Sequence, residues 1–211
     1  MIKDIEGKLI FMTDPICSWC WGMLPEILLL RDTLRGRLGF EIKCAGLQVG
    51  SQRPLTDEQS AHLITLWQQV AETTHQKFAF ELPLDASFIY HSELACRVIQ
   101  IARRYLGAEP WDLFHDMQHA FYVDCRNLGD PDVLFDLLAP IGISIETFSE
   151  QLISDEIVNR TRDEFSWCES RGIQALPTLF LDLGDGPALI AGGYATAEIL
   201  MPEIKARLTT H

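Results

Sequence analysis

Lysine and arginine are scarce in this chain, 17 against 30 aspartates and glutamates, for a formal net charge of −13 and an isoelectric point near 4.8. Nucleic acids and anionic membranes are recognised through concentrated cations, so this balance argues against both as partners. Also missing is any apolar run of about 18 residues or more, the length a helical membrane span requires. The first eight residues, Met1 to Lys8, interleave charged and apolar side chains where a secretory leader would carry an unbroken apolar core. A cytoplasmic protein is therefore expected. Six cysteines are too few and too scattered to staple a small secreted scaffold. With 47% hydrophobic residues in 211, the chain can bury a core of its own.

What is present is Asp14-Pro15-Ile16-Cys17-Ser18-Trp19-Cys20-Trp21-Gly22, directly behind the apolar run Leu9-Ile10-Phe11-Met12. Two cysteines separated by two residues, where a strand gives way to a helix, read as a redox dithiol. Residues three apart on a helical turn share a face, so the two sulfurs can approach closely enough for a disulfide. The earlier one stands at the helix start, where free N–H groups and the positive end of the dipole favour a thiolate. Cys17 is thus the expected nucleophile and Cys20 the resolving thiol. The helix end supplies about 0.3–1 kcal/mol, up to about 2 when partly buried, which moves a thiol pKa by roughly one unit or less in most cases. Further lowering needs direct donors, of which the Ser18 hydroxyl is the nearest.

By itself the spacing also permits half of a zinc site. A single CxxC supplies only two ligands, and no second pair follows at zinc-finger spacing. His115 and His119 are four apart on a helical face but lack a completing ligand, so no metal is expected. Cys44 and Cys168 fall on apolar faces and read as small core residues. Cys96 carries no signal, and Cys125, in the polar stretch Asp124 to Gly129, reads as an exposed free thiol.

Taken in order, the chain predicts a strand over 8–13, a helix over 18–35 interrupted by Pro25, and a strand over 40–44. Residues 55–171 then show helical periods with stop and start signals: the capping box Thr56 to Gln59, Gly107, Pro110, Asp130-Pro131, Gly142, Ser144, and Gly172 with Ile173 as its apolar contact. After them, two apolar runs around Gly184-Asp185-Gly186-Pro187 read as an antiparallel hairpin, and a helix over 196–208, kinked or divided at Pro202, ends the chain. The expected fold is α/β: a thioredoxin fold with a mixed four-stranded sheet, residues 1–54 and 172–211, carrying a large all-helical insertion, residues 55–171.

This layout, with Asp14-Pro15 through Gly22, Ser92-Glu93-Leu94-Ala95-Cys96-Arg97, Ala120-Phe121-Tyr122-Val123 before the Asp130-Pro131 helix start, and Leu176-Pro177-Thr178, resembles the DsbA-like branch of the thioredoxin superfamily. The resemblance is to its cytosolic, signal-less FrnE-like members and covers nearly the whole chain. It implies a thiol–disulfide oxidoreductase or disulfide isomerase acting on protein or small-molecule thiols and disulfides through Cys17 and Cys20. No cofactor beyond the dithiol is implied, with glutathione as a candidate co-substrate. It also implies a cis-proline loop at Pro177 facing the dithiol, where the Leu176 backbone pairs with an extended substrate segment. Ser18, Trp19, Leu176 and Pro177 are accordingly the expected substrate contacts.

Trp19 and Trp21 fit a substrate rim and packing against the helical block equally well. Ser18-Trp19 is not the proline-histidine pair of the strongly oxidising periplasmic members, and the residue before Pro177 is leucine, not a β-branched one. A moderately reducing couple is expected, but no redox potential carries over. Kappa-class glutathione transferases and hydroxychromene carboxylate isomerases resemble the same architecture, typically with serine at the position of Cys17, and stand as an alternative. A non-enzymatic partner-binding protein with a vestigial motif is another.

Overall fold

The structure, a computed structural model, describes residues 7–83, 88–172 and 175–210. The charge-alternating start before Gly7, and Ile173 and Gln174, lie outside the described residues. Strand β1 (Gly7–Thr13) runs through the centre of the molecule, and its apolar sequence follows from burial on both faces. It leads into helix α1 (Ser18–Thr33), which returns to strand β2 (Leu38–Cys44), paired parallel to β1. At the other end of the chain, β3 (Thr178–Asp182) pairs antiparallel with β1, and β4 (Ala188–Gly192) antiparallel with β3. The sheet order β2-β1-β3-β4 is therefore assembled from both ends of the chain, with helix α8 (Ala197–Thr210) packed on α1. Pro202 lies within α8 without dividing it.

The intervening block forms α2 (Asp57–Thr74), α3 (Glu93–Leu106), α4 (Trp111–Tyr122), α5 (Pro131–Leu138), α6 (Ile145–Ile153) and α7 (Asp155–Ser170). Its boundaries obey the start and stop chemistry in the sequence. Thr56 and Gln59 close a reciprocal capping box on α2, Asp130 and Ser144 accept capping hydrogen bonds, and Gly107 and Gly172 take the left-handed conformation that ends a helix. Pro110 stands one residue before α4 as its N-cap. A short 3-10 turn over 139–141 follows α5 before Gly142 closes it.

One continuous apolar core runs from Leu9 and Phe11 of the sheet through Leu24 and Ile27 of α1 to Trp67, Val98, Phe114 and Phe121 of the helical block. Two close approaches fix how α1 meets its neighbours. A Cβ on Gly22 would stand 2.7 Å from the Thr74 methyl, so glycine lets α1 and α2 touch backbone to side chain. Pro25 lacks the N–H that would bond the Trp21 carbonyl one turn back. The Gln76 side-chain amide replaces it at 3.0 Å, while the Trp21 indole N–H donates to the Lys77 carbonyl at 3.0 Å. The segment after α2 thus holds the first turns of α1 in place.

Candidate active site

Helix α1 starts at the end of the central strand, and its N-terminus carries both sulfurs. Cys17 occupies the N-cap position and is 8% exposed; Cys20, one turn on, is fully buried, and both thiols are free. The two cysteines lie one turn apart and close together, and burial, with Cys17 beside it, holds the Cys20 thiol well above its ordinary range. The expected capping role differs in detail. The Cys17 side chain takes no capping hydrogen bond from the helix N–H groups.

Ser18 is buried in the first turn, and Trp19 is half-buried against Tyr194, with ring centroids 6.0 Å apart. Trp21 parts from Trp19: it is 2% exposed and stacks on Tyr122 of α4, with His115 and His119 beside it at 5.6 and 6.3 Å. Of the two tryptophans, Trp19 alone is left at the rim, and Trp21 packs against the helical block. Among the described residues no group of three or more His, Cys, Asp or Glu side chains could hold a metal ion.

Leu176 and Pro177 are joined by a cis peptide bond and immediately precede β3, whose Thr178 pairs with Met12. The register brings this loop to the same end of the sheet as Asp14–Cys17. Leu176 is half-buried and Pro177 buried. The Pro177 carbonyl accepts a hydrogen bond from Gly193 N–H at 2.8 Å, which ties the loop to the residue before Tyr194.

Four features of the site leave no pattern in the local sequence. Asp14, fully buried, accepts from Ile16 N–H at 3.0 Å through one oxygen. Its other oxygen accepts from Gly46 N–H at 3.0 Å, Leu47 N–H at 2.9 Å and the Ser92 hydroxyl at 2.7 Å. Burial raises its carboxyl pKa to about 6, against the lowering effect of those donors. Tyr90 donates to the Ile16 carbonyl at 2.8 Å, and Gln118 to the Asp14 carbonyl at 3.3 Å. Tyr194 covers Trp19. These partners of the dithiol turn, Gly46 and Leu47 apart, are 74 or more residues away from it along the chain, so only the fold reveals them.

The remaining cysteines separate as read from the sequence in two cases. Cys44 and Cys168 are buried, the Cys168 sulfur lying 3.5 Å from the Cys44 carbonyl. Cys96 is buried too and meets the Cys44 thiol. Cys125 is only partly exposed: its sulfur lies 3.5 Å from the Glu81 carbonyl. A cleft of about 710 Å³ is walled by Arg53, Leu55, His62, Leu63 and Tyr90, the last of which bonds the Ile16 carbonyl, but by no residue of the dithiol turn itself. A slightly larger one, lined by Arg31, Phe40, Trp111 and Pro140, contains no residue of the dithiol turn.

A candidate protein disulfide isomerase from Nitrosomonas europaea is 32% identical, superposes with a TM-score of 0.86, and the match covers 98% of this chain and 99% of that one. The cytosolic disulfide reductase DsbM from Pseudomonas aeruginosa is 20% identical with a TM-score of 0.77, over 97% of this chain and 100% of that one. Its structure with glutathione gives 0.74 at 19% identity, over 96% and 99% of the two chains. Among curated proteins, the ClpXP adapter protein SpxH of Bacillus subtilis is 22% identical over 177 residues, 82% of this chain; the match spans only 57% of SpxH. No family model matches the chain.

Proposed function

The chain belongs to the DsbA-like branch of the thioredoxin superfamily, and from that premise we propose that it is a cytoplasmic thiol–disulfide oxidoreductase working through the Cys17/Cys20 dithiol. The observation that carries the reading is the pair itself: two free thiols in contact on the first turn of the helix that follows the central strand, one reaching the surface and one sealed beneath it. The Cys17 thiolate attacks one sulfur of a substrate disulfide. A mixed disulfide forms, and the first substrate thiolate leaves. Deprotonated Cys20 then attacks the Cys17 sulfur, expelling the second substrate thiolate and leaving a Cys17–Cys20 disulfide, which an external thiol must reduce before the next turn. Two electrons pass to the substrate in each cycle, and the sulfurs carry them without a bound cofactor.

Ser18, Trp19, Leu176 and Pro177 are the proposed substrate contacts. The Leu176 backbone pairs with an extended segment, and the half-buried Trp19–Tyr194 pair supplies an apolar rim. Glutathione is the second candidate substrate, supported by the cleft beside Tyr90 and by the glutathione complex of DsbM. The proposed direction is reductive, with a couple more reducing than that of the periplasmic oxidants.

Turnover of a disulfide substrate is the test, run on the parent protein, Cys17→Ser and Cys20→Ser. The expected outcome is loss of activity with Cys17→Ser and accumulation of a mixed disulfide, seen by mass spectrometry, with Cys20→Ser. Full activity in Cys17→Ser removes that sulfur from the mechanism. A parent protein without turnover leaves a binding role of the adapter kind named for the Bacillus subtilis relative.

A further inference from the structure

The Asp14 carboxylate gathers its hydrogen bonds from parts of the molecule that are remote in sequence and meet just behind the dithiol turn. Ile16 N–H belongs to the turn itself, Gly46 and Leu47 to the connection after β2, and Ser92 to the N-cap of α3, with the Cys96 thiol of the same helix 3.9 Å away. The Asp14 carbonyl adds Cys17 N–H at 3.2 Å and the Gln118 amide of α4. Gly46 is suited to this contact. Its φ of +77° favours glycine, and a Cβ there would stand 2.8 Å from the Phe165 ring, so the chain can offer consecutive N–H groups to the carboxylate only with glycine in place.

We infer that Asp14 is the positioning residue of the dithiol: its carboxylate clamps the turn that carries Cys17 to the β2–α2 connection and to α3, and so sets the geometry in which the sulfur reacts. It touches neither substrate nor sulfur as an acid or base; it acts through the backbone of Ile16 and Cys17. The inference rests on the oxidoreductase reading.

An amide is the discriminating substitution. The side chain introduced by Asp14→Asn would keep one acceptor oxygen but turn an NH2 group toward either Ile16 N–H or the donors from Gly46, Leu47 and Ser92, so one side of the clamp must open. The clamp also has a titration of its own, because burial brings the carboxyl to about 6. The titratable groups around it are Cys17 and Cys20 on its own turn and α1, Cys44 of β2, Tyr90, Cys96 of α3, Tyr122 of α4 and Cys168 of α7. Beyond Cys44 lies Glu164, neutralised by Arg103. Cys20, Cys44, Cys96, Cys168, Tyr90 and Tyr122 are all raised, by burial foremost except at Cys44, where contact with the Cys96 thiol opposes it.

The experiment measures, from pH 4.5 to 9, the alkylation rate of Cys17 and the kcat/KM for a small disulfide in the parent protein, Asp14→Asn and Ser92→Ala. The parent should show an inflection near pH 6. Asp14→Asn should lose that inflection and about 10- to 100-fold in kcat/KM, the scale of loss from misplacing a reacting group. Ser92→Ala removes one donor to the ionised form and should move the inflection upward. A parent profile without the inflection, an amide variant matching the parent in rate and profile, or an inflection unmoved in Ser92→Ala overturns the positioning role. Should Asp14→Asn fail to fold, the Ser92→Ala shift decides. A parent protein that never turns over a disulfide fails the oxidoreductase reading instead, and is recognised before any variant is compared.

Discussion

At Asp14, burial and hydrogen bonding pull the carboxyl in opposite directions, and burial wins: its pKa rises from the ordinary 3.8 to about 6. Between those two values the folded protein holds a proton that the unfolded chain has released. Stability contributed at this site therefore falls as pH rises from about 4 to about 6, by about 3 kcal/mol in total, and stays low above. Urea unfolding of the parent and Asp14→Asn between pH 4 and 7 checks this. The difference in unfolding free energy should shift by most of that amount against the parent, and a difference flat in pH refutes the assignment. Retaining an ionised carboxylate at such a cost is consistent with a positioning task. From the sequence, Asp14 is legible only as the residue that follows β1 and as the start of the Asp14-Pro15 motif, not as a hydrogen-bond acceptor. Its hydrogen-bonding partners Gly46, Leu47 and Ser92 stand 32, 33 and 78 positions away, and no local pattern announces contacts at such separations. The Cys17/Cys20 pair is legible because its chemistry is local, one helical turn long.

Strand β2 is an outer strand of the sheet, and its free edge is covered by side chains instead of a further strand. Arg103 of α3 spreads its guanidinium over three acceptors: the Ile42 carbonyl, Glu109 at 3.0 Å and Glu164 at 2.7 Å. Glu164 of α7 in turn accepts from Cys44 N–H at 2.7 Å and Gln100 at 3.0 Å. The Ile42 carbonyl and the Cys44 N–H of the strand are thereby satisfied without a neighbouring backbone, and α3 and α7 are held against the sheet. Glu164 is 6% exposed, so removing Arg103 leaves a buried charge compensated only by Lys43 at 3.8 Å. Arg103→Ala should cost about 3–5 kcal/mol in urea unfolding and should promote self-association at the uncovered edge, followed by light scattering. Arg103→Lys, which lacks the planar fork, should recover only part of the loss. An alanine variant as stable and as monodisperse as the parent would show that the edge needs no cover. The helices were legible at this scale because their caps are local: Thr56 with Gln59, Asp130, Ser144, Gly107. The fate of Pro25 was not, since the Gln76 amide that answers its missing N–H comes from beyond α2.

At the scale of the whole molecule, a mixed four-stranded sheet built from both chain ends is legible in the sequence, but the strand order, the packing of the helical block on Trp21 and the hydrogen bond from Tyr90 to the Ile16 carbonyl are not. The last two depend on how the block docks, which periodicity does not encode. Net charge acts at this scale too. At −13 the protein repels anions over a distance set by the Debye length, about 30 Å at 0.01 M salt and about 8 Å at 0.15 M. Arg53 in the cleft beside Tyr90 is a single cation against that field. For a thiol–disulfide exchange limited by encounter with Cys17, oxidised glutathione, an anion at neutral pH, should therefore react slowly at low salt and speed up several-fold as ionic strength rises from 0.01 to 0.15 M. Hydroxyethyl disulfide, uncharged, should react at nearly the same rate at both. The comparison separates long-range charge from intrinsic thiol reactivity, because salt effects on Cys17 itself appear with both substrates. If salt instead slows oxidised glutathione alone, a local cationic site outweighs the net charge and captures the anionic disulfide selectively, and Arg53→Ala should then abolish that slowing.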